Sequence, residues 1–240
     1  MVKDLPVNPT LRYLMRMDKP SKQGRYAPRH YSLLDQLVDV VDTGLRTVFT
    51  TPYSQRPYPG YTDNNADNSL SATDKDRASR YMRINHAGEV AAQGLYTGQA
   101  LTAKLPEVRD KMQEAAEEEN DHLNWCATRI KELGSHTSYL DPIWYMGSVT
   151  IGALAGLAGD KWSLGFVAET EKQVVEHLDG HLSSINPEDK NTHAILEQMK
   201  EDESKHATTA IESGGANLPP PIKAMMKLTA KVMTRSTYWI

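Results

Sequence analysis

Glu119-Asn120-Asp121-His122 places a carboxylate and an imidazole three residues apart, and Glu203-Ser204-Lys205-His206 repeats that spacing further along the chain. On a helix, residues i and i+3 are neighbours on one face, so each pair presents its two side chains together. A single Glu-x-x-His is weak evidence, because Glu and His meet at this spacing on many solvated helices. Two copies in equivalent places are stronger. The competing reading is a solvated acidic face, since Glu114, Glu117, Glu118, Glu119 and Asp121 form a dense run of a kind that ordinarily faces water. Within that run Glu118 is also spaced to meet His122, so Glu119 and Glu118 both stand as candidates.

Punctuation around the two pairs sets the helices that carry them. Thr73, followed by Asp74, Lys75 and Asp76, offers an N-cap with acid in the first turn, and helical character persists to about Lys104 before Pro106. Glu107 to Leu133 reads as a second helix stopped by Gly134, and the short connection makes these two antiparallel neighbours. Ser163 to about Ile185 reads as a third. Glu188, after Asn186-Pro187, to about Ser213, before Gly214-Gly215, reads as a fourth. Between the pairs runs a longer crossover, Ser135 to Trp162, with an uncharged stretch from Pro142 to Gly159. Two hairpins joined by one long crossover describe an all-α, ferritin-like four-helix bundle.

That architecture asks for one further carboxylate on each remaining helix. Glu89 is the only acid on the first helix beyond Asp76, and it sits in the small, apolar stretch Ala87-Gly88-Glu89-Val90-Ala91-Ala92. Such a carboxylate is costly to bury without a cation beside it. On the third helix Glu171 takes the equivalent place, with Glu169 and Glu176 as competitors that fit less well. The interval from Glu89 to Glu119 nearly equals that from Glu171 to Glu203, as two similar hairpins require. Four carboxylates and two imidazoles suit two iron ions, which they bind while leaving positions open for dioxygen. His86 is read as a hydrogen-bond partner near the ligands, and Tyr96, on the same face as Glu89, as a core aromatic. His177 and His181 are read either as near a substrate or as ordinary half-buried histidines.

Composition bounds the rest. The chain has 240 residues, 39% of them hydrophobic with only 2 Phe, a mixture that favours helices. A net charge of -4 and the absence of a Lys/Arg run with interleaved aromatics argue against nucleic acid. The single cysteine, Cys126, excludes an internal disulfide and reads as a small buried hydrophobe. The N-terminus, interrupted by Lys3, Asp4, Arg12 and Arg16, lacks the apolar core of a secretory signal. It reads as a basic arm. Leu33, Leu34, Leu37, Val38, Val41, Leu45, Val48 and Phe49 then make an amphipathic lead-in helix, followed by a Pro-, Gly- and Asn-rich linker from Thr51 to Ser71.

Arg83-Ile84-Asn85-His86-Ala87-Gly88-Glu89, Glu119-Asn120-Asp121-His122-Leu123 and Asp202-Glu203-Ser204-Lys205-His206 resemble the motifs of the demethoxyubiquinone hydroxylases. The resemblance runs from about Arg80 to Leu218, and Val40 to Phe49 also resembles bacterial members. It implies a di-iron core, hydroxylation of a polyprenylated methoxy-methyl-benzoquinol by dioxygen, and peripheral attachment to the membrane that holds this substrate. That membrane is the cytoplasmic face of a bacterial inner membrane, or the mitochondrial inner membrane in a eukaryote. A lipid-presenting or ubiquinone-biosynthesis protein partner also fits. The six positions found by spacing, Glu89, Glu119, His122, Glu171, Glu203 and His206, carry over as ligands. Where some members have His-His-Tyr, this chain reads Glu176-His177-Leu178, so only His177 matches a substrate-side role.

The expected division is therefore an arm, helix and linker over 1–72, a di-iron bundle over 73–218 and a cationic amphipathic helix over 219–240. In the last, Lys223, Lys227, Lys231 and Arg235 recur every fourth residue beside Met225, Met226, Leu228, Val232 and Met233, with Tyr238 and Trp239 at the end. This pattern is expected to lie on anionic lipid. The uncharged crossover, near the lower limit for spanning a bilayer, is expected to be a buried or interfacial helix. Ferritin-type iron oxidation and storage, and a metal-free helical interaction module, are the alternative functions.

Overall fold

The protein is described by a computed structural model that covers residues 32–60 and 69–240. The expected basic arm, His30 and part of the linker lie outside the described residues. Within them are seven helices and no strand, as the all-α reading requires. They are α1 (Leu33–Phe49), α2 (Ala72–Thr102), α3 (Pro106–Glu132), α4 (Asp141–Leu157), α5 (Asp160–Ser184), α6 (Lys190–Glu212) and α7 (Pro220–Thr237).

Helix ends follow local chemistry and shift several expected boundaries. Ser71, not Thr73, caps α2, its side chain accepting from the Asp74 N–H. Pro106 does not end α2, which stops at Thr102; it opens α3 at a first-turn position where its missing N–H costs nothing. Gly134 ends α3 with φ 73, a left-handed conformation that only glycine adopts cheaply. α5 begins three residues earlier than Ser163, at Asp160. The Asp160 carboxylate takes the Lys104 and Leu105 N–H groups at 3.0 Å each, fastening the α2–α3 turn to the start of α5.

α2, α3, α5 and α6 form the ferritin-like bundle, held by two apolar clusters. One gathers Met82, Trp125, Cys126, Ile130, Leu178, Ile195, Leu196 and Met199. The other gathers Ala92, Tyr96, Val108, Met112, Leu164, Val167, Ala168 and Ala210. On every helix the stretch between the two clusters carries a polar or acidic side chain: Glu89 on α2, Glu119 and His122 on α3, Glu171 on α5, Glu203 and His206 on α6. The candidate site is thus a polar layer sealed between two dry ones. Beyond the first cluster, the fully buried Arg129 donates to Thr192 Oγ1 at 2.9 Å and Asp189 Oδ1 at 2.7 Å, joining the end of α3 to the cap of α6.

The crossover helix α4 lies flat against α2. Glycine makes this approach possible: a Cβ on Gly98 would collide with the Val149 backbone, and one on Gly152 with the Leu95 backbone. Tyr145 of α4 packs with Val90 and Leu123, and its hydroxyl donates to the Val40 carbonyl of α1 at 3.2 Å. Its outer face exposes Ile143, Met146, Leu154 and Leu157. No helix among the described residues is long and apolar enough to cross a membrane.

α7 packs differently from the expected stripe. Lys223 reaches Glu169 at 2.8 Å and Lys227 reaches Glu176 at 3.0 Å, so half of the cationic row is turned to α5. The physical reason is local: Glu169 and Glu176 on the outer side of α5 attract the nearest cations. Alongside Lys227, Lys231 and Arg235, which stay exposed, α7 exposes an apolar row, Ile222, Met225, Leu228 and Val232. Trp144 Nε1 donates to Thr237 Oγ1 at 3.0 Å, tying the end of α7 to α4.

Candidate metal centre

Ligand atoms of Glu89, Glu119, His122 and Glu203 all lie within 4.8 Å of one another, and all four residues are buried. His122 Nδ1 stands 2.8 Å from Glu119 Oε2, 3.0 Å from Glu203 Oε1 and 4.0 Å from Glu89 Oε2. His206 joins the group through Nδ1, 3.3 Å from Glu119 Oε1 and 3.2 Å from Glu203 Oε2. Glu171, the sixth expected residue, is buried and stands apart from the four, accepting a 2.5 Å hydrogen bond from the Tyr96 hydroxyl. Tyr96 is therefore a core aromatic whose hydroxyl also reaches the site. Its place seven residues after Glu89, on the same face, was the available signal.

Burial separates the two adjacent glutamates of α3. The Glu119 side chain is fully enclosed, whereas that of Glu118 is 52% exposed and meets His206 Nε2 at 2.6 Å from outside. Both imidazoles share one arrangement: Nδ1 faces the buried carboxylates and Nε2 faces an outer acid, Asp202 at 3.2 Å for His122 and Glu118 for His206. Asp202, to which sequence reading gave no role, was visible only as the residue before Glu203. Glu169 and Glu176 are accounted for by Lys223 and Lys227.

Electrostatics describe what this cluster needs. Burial, then the negative charges of Glu119 and Glu203, push Glu89 well above the usual carboxylate range. Burial, then Glu203 and Glu119, do the same to Glu171. For Glu119 burial acts upward but is outweighed by His122 and His206, which hold it low. Burial works against the charged His122, yet Glu119, Asp202 and Glu203 hold its proton on. His206 is pushed up to about 12, burial again being overcome by Glu119 and Glu203. Protons thus do the neutralising that a cation would do. Glu119 Oε1, buried and outside hydrogen-bonding geometry with its neighbours, keeps lone pairs directed into the cluster. Carboxylate and imidazole donors with enclosed like charges fit a divalent metal.

The other histidines fall elsewhere. His86 Nδ1 lies 3.2 Å from Asp141 Oδ2 at the start of α4, both side chains buried. His181 Nδ1 donates to Asn85 Oδ1 at 2.9 Å, and its ring lies 4.0 Å from that of His177. Both line an open cavity of roughly 410 Å³ with Tyr81, Glu176, Arg235 and Trp239. Cys126 is buried, its thiol 3.7 Å from Met199 Sδ, as a small hydrophobe should be.

The family model described as ubiquinone biosynthesis protein COQ7 matches residues 76–237. A protein of Nitrosococcus oceani named 3-demethoxyubiquinol 3-hydroxylase is 57% identical over 213 residues, 88% of this chain and 99% of its own length. Proteins of the same name from Legionella pneumophila and Pseudomonas fluorescens are each 54% identical, covering 88% of this chain and 100% and 98% of theirs.

Proposed function

Because the chain belongs to the COQ7 family of ubiquinone biosynthesis proteins, we propose that it hydroxylates the ring of a polyprenylated demethoxyubiquinol with dioxygen, at two irons held by Glu89, Glu119, His122, Glu171, Glu203 and His206. The observation that carries this reading is the buried carboxylate and imidazole cluster, set between two apolar layers in a chain whose relatives are named for this hydroxylation.

Each residue has a definable task. The four carboxylates would offset the charge of two divalent ions, and Nδ1 of each imidazole would complete the donor set. Tyr96 fixes one oxygen of Glu171 by its hydroxyl. Asp202 and Glu118 fix the ring planes of His122 and His206 from outside. Met82, Leu178 and Trp125 on one side, with Val167, Ala168 and Met112 on the other, keep bulk water from the layer. When bound, the irons supply dioxygen activation and transfer of one oxygen atom to the ring, chemistry that no side chain provides.

The prenyl tail requires a lipid surface. We assign membrane contact to the exposed apolar rows of α4 and α7, with Lys231 and Arg235, both exposed, left to meet anionic headgroups. On this reading the protein sits peripherally on a membrane, at the cytoplasmic face of a bacterial inner membrane or, in a eukaryote, at the mitochondrial inner membrane.

The deciding experiment loads the protein with Fe(II) anaerobically, adds demethoxyubiquinol and oxygen under reducing conditions, and weighs the quinol. One added oxygen is expected. Folded, iron-loaded protein that yields no oxygenated quinol, or that accumulates mineral instead, would overturn the reading.

A further inference from the structure

The described residues between α1 and α2 form no regular element, yet residues 52–58 are laid along α3 by polar contacts. Asn124 Nδ2 donates to the Pro52 carbonyl at 2.8 Å, and Tyr58 donates to Glu132 Oε2 at 2.9 Å. Between them, Ser54 Oγ and the Gln55 N–H both donate to Asp121 Oδ1, at 2.9 and 2.7 Å. Asp121 is buried and lies between the α3 residues Glu119 and His122, so the strap is fixed at the height of the candidate centre.

From that strap Arg56 turns inward. Its Nη1 lies 2.7 Å from Asp202 Oδ2, and its guanidinium carbon sits 4.9 Å from the centre of the Trp125 ring. Asp202 Oδ2 is the same oxygen that faces His122 Nε2 at 3.2 Å, while Oδ1 accepts from Gln198 at 3.2 Å. One carboxylate oxygen is therefore shared by a guanidinium and an imidazole. It cannot turn away from His122 without also losing a charge-assisted bond to Arg56.

We propose that Arg56 is a positioning residue of the metal centre: it holds Asp202 in place, and Asp202 in turn aims Nδ1 of His122 at Glu119 and Glu203. The strap supplies the rigidity, since a long side chain by itself would surrender its rotamer freedom at a cost. The proposal rests on His122 being a ligand. It makes residues 52–58 part of the site's outer wall, where sequence alone shows a linker.

The test uses Co(II) as probe and its visible absorption as readout, with the full chain and no turnover. D202N, which removes the hydrogen-bond partner of the ligating histidine, should weaken Co(II) binding about 10- to 100-fold, and R56Q, which only frees that partner, should weaken it less, by about 3- to 10-fold. R56K should recover part of that loss, since an ammonium keeps the charge near Asp202 without the planar fork. In a double-mutant cycle, R56Q should have little further effect once D202N is present. Parent-like Co(II) affinity in R56Q would overturn the proposal. So would an undiminished R56Q effect in the D202N background, because Arg56 would then act by another route. A parent that binds no Co(II) at all would instead sink the metal reading on which this one stands.

Discussion

His206 presents Nε2 to Glu118 at 2.6 Å and Nδ1 to Glu119 at 3.3 Å, so two adjacent glutamates of α3 flank one imidazole from outside and inside the site. Their tasks should differ in measurement. E119Q removes an enclosed donor and is expected to abolish loading of at least one metal. E118Q alters only an exposed partner, which solvent can replace, and should keep full metal content with affinity lowered by no more than about tenfold. Metal counted by mass spectrometry of the loaded proteins checks both. Equal losses would refute the distinction between them.

Removal of a ligand should cost metal before it costs fold. H122A, H206A, E89A and E171A are each expected to lower iron occupancy while helix content by circular dichroism stays near that of the parent, because the two apolar clusters lie to either side of the polar layer. Full iron and full turnover in any one of them would remove that residue from the ligand set.

The α2–α4 contact predicts opposite outcomes for two glycines of a single helix. A Cβ at Gly152 would strike the Leu95 backbone, whereas one at Gly147 meets nothing. G152A should destabilise by about 1–3 kcal/mol through overpacking. G147A should gain up to about 1 kcal/mol from helix propensity. Urea unfolding of the two variants decides, and the same sign for both would mean that α4 does not lie this close to α2.

His181 should make stability fall in mild acid. Burial, and then the neighbouring His177, depress its pKa to about 2, so the folded ring stays neutral while the unfolded one takes a proton near 6.5. Above that pH the group costs nothing. Below it the unfolded state gains by about 1.4 kcal/mol per pH unit, down towards the folded value. The difference in unfolding free energy between the parent and H181Q should therefore shrink as pH drops from 7.5 to 5. A difference that does not vary with pH would show that His181 takes up its proton in the fold as readily as in the unfolded chain, and one that grows as pH drops would show that the fold favours the protonated ring.

The faces of α7 predict which residues meet lipid. Replacing Met225, Leu228 and Val232 together by Gln should reduce binding to anionic vesicles and slow turnover of long-tailed quinols, with a short-tailed analogue still hydroxylated. K223Q with K227Q should do less to vesicle binding, since both cations already pair with α5. Vesicle co-sedimentation distinguishes the two sets. Binding lost only in the lysine pair would restore the cationic stripe as the contact.

The sequence by itself determined the bundle and its acidic, histidine-bearing layer, because helix periodicity and i, i+3 spacing are local properties written in consecutive residues. Glu119 with His122, Glu203 with His206, and the isolated Glu89 could be read before any packing was known, and Gly134 marked its helix end by the backbone conformation it permits. What only the tertiary structure decided concerns partners that meet across large separations in sequence. Nothing local tells that Glu118 would lie outside and Glu119 inside, that Lys223 and Lys227 would turn to Glu169 and Glu176, or that Tyr96 would reach Glu171. Least legible was Arg56, whose guanidinium meets Asp202 from a stretch without periodicity. Spacing can place a side chain on a face, but which charges share that face's surroundings is settled only when helices from distant parts of the chain pack together and exclude water.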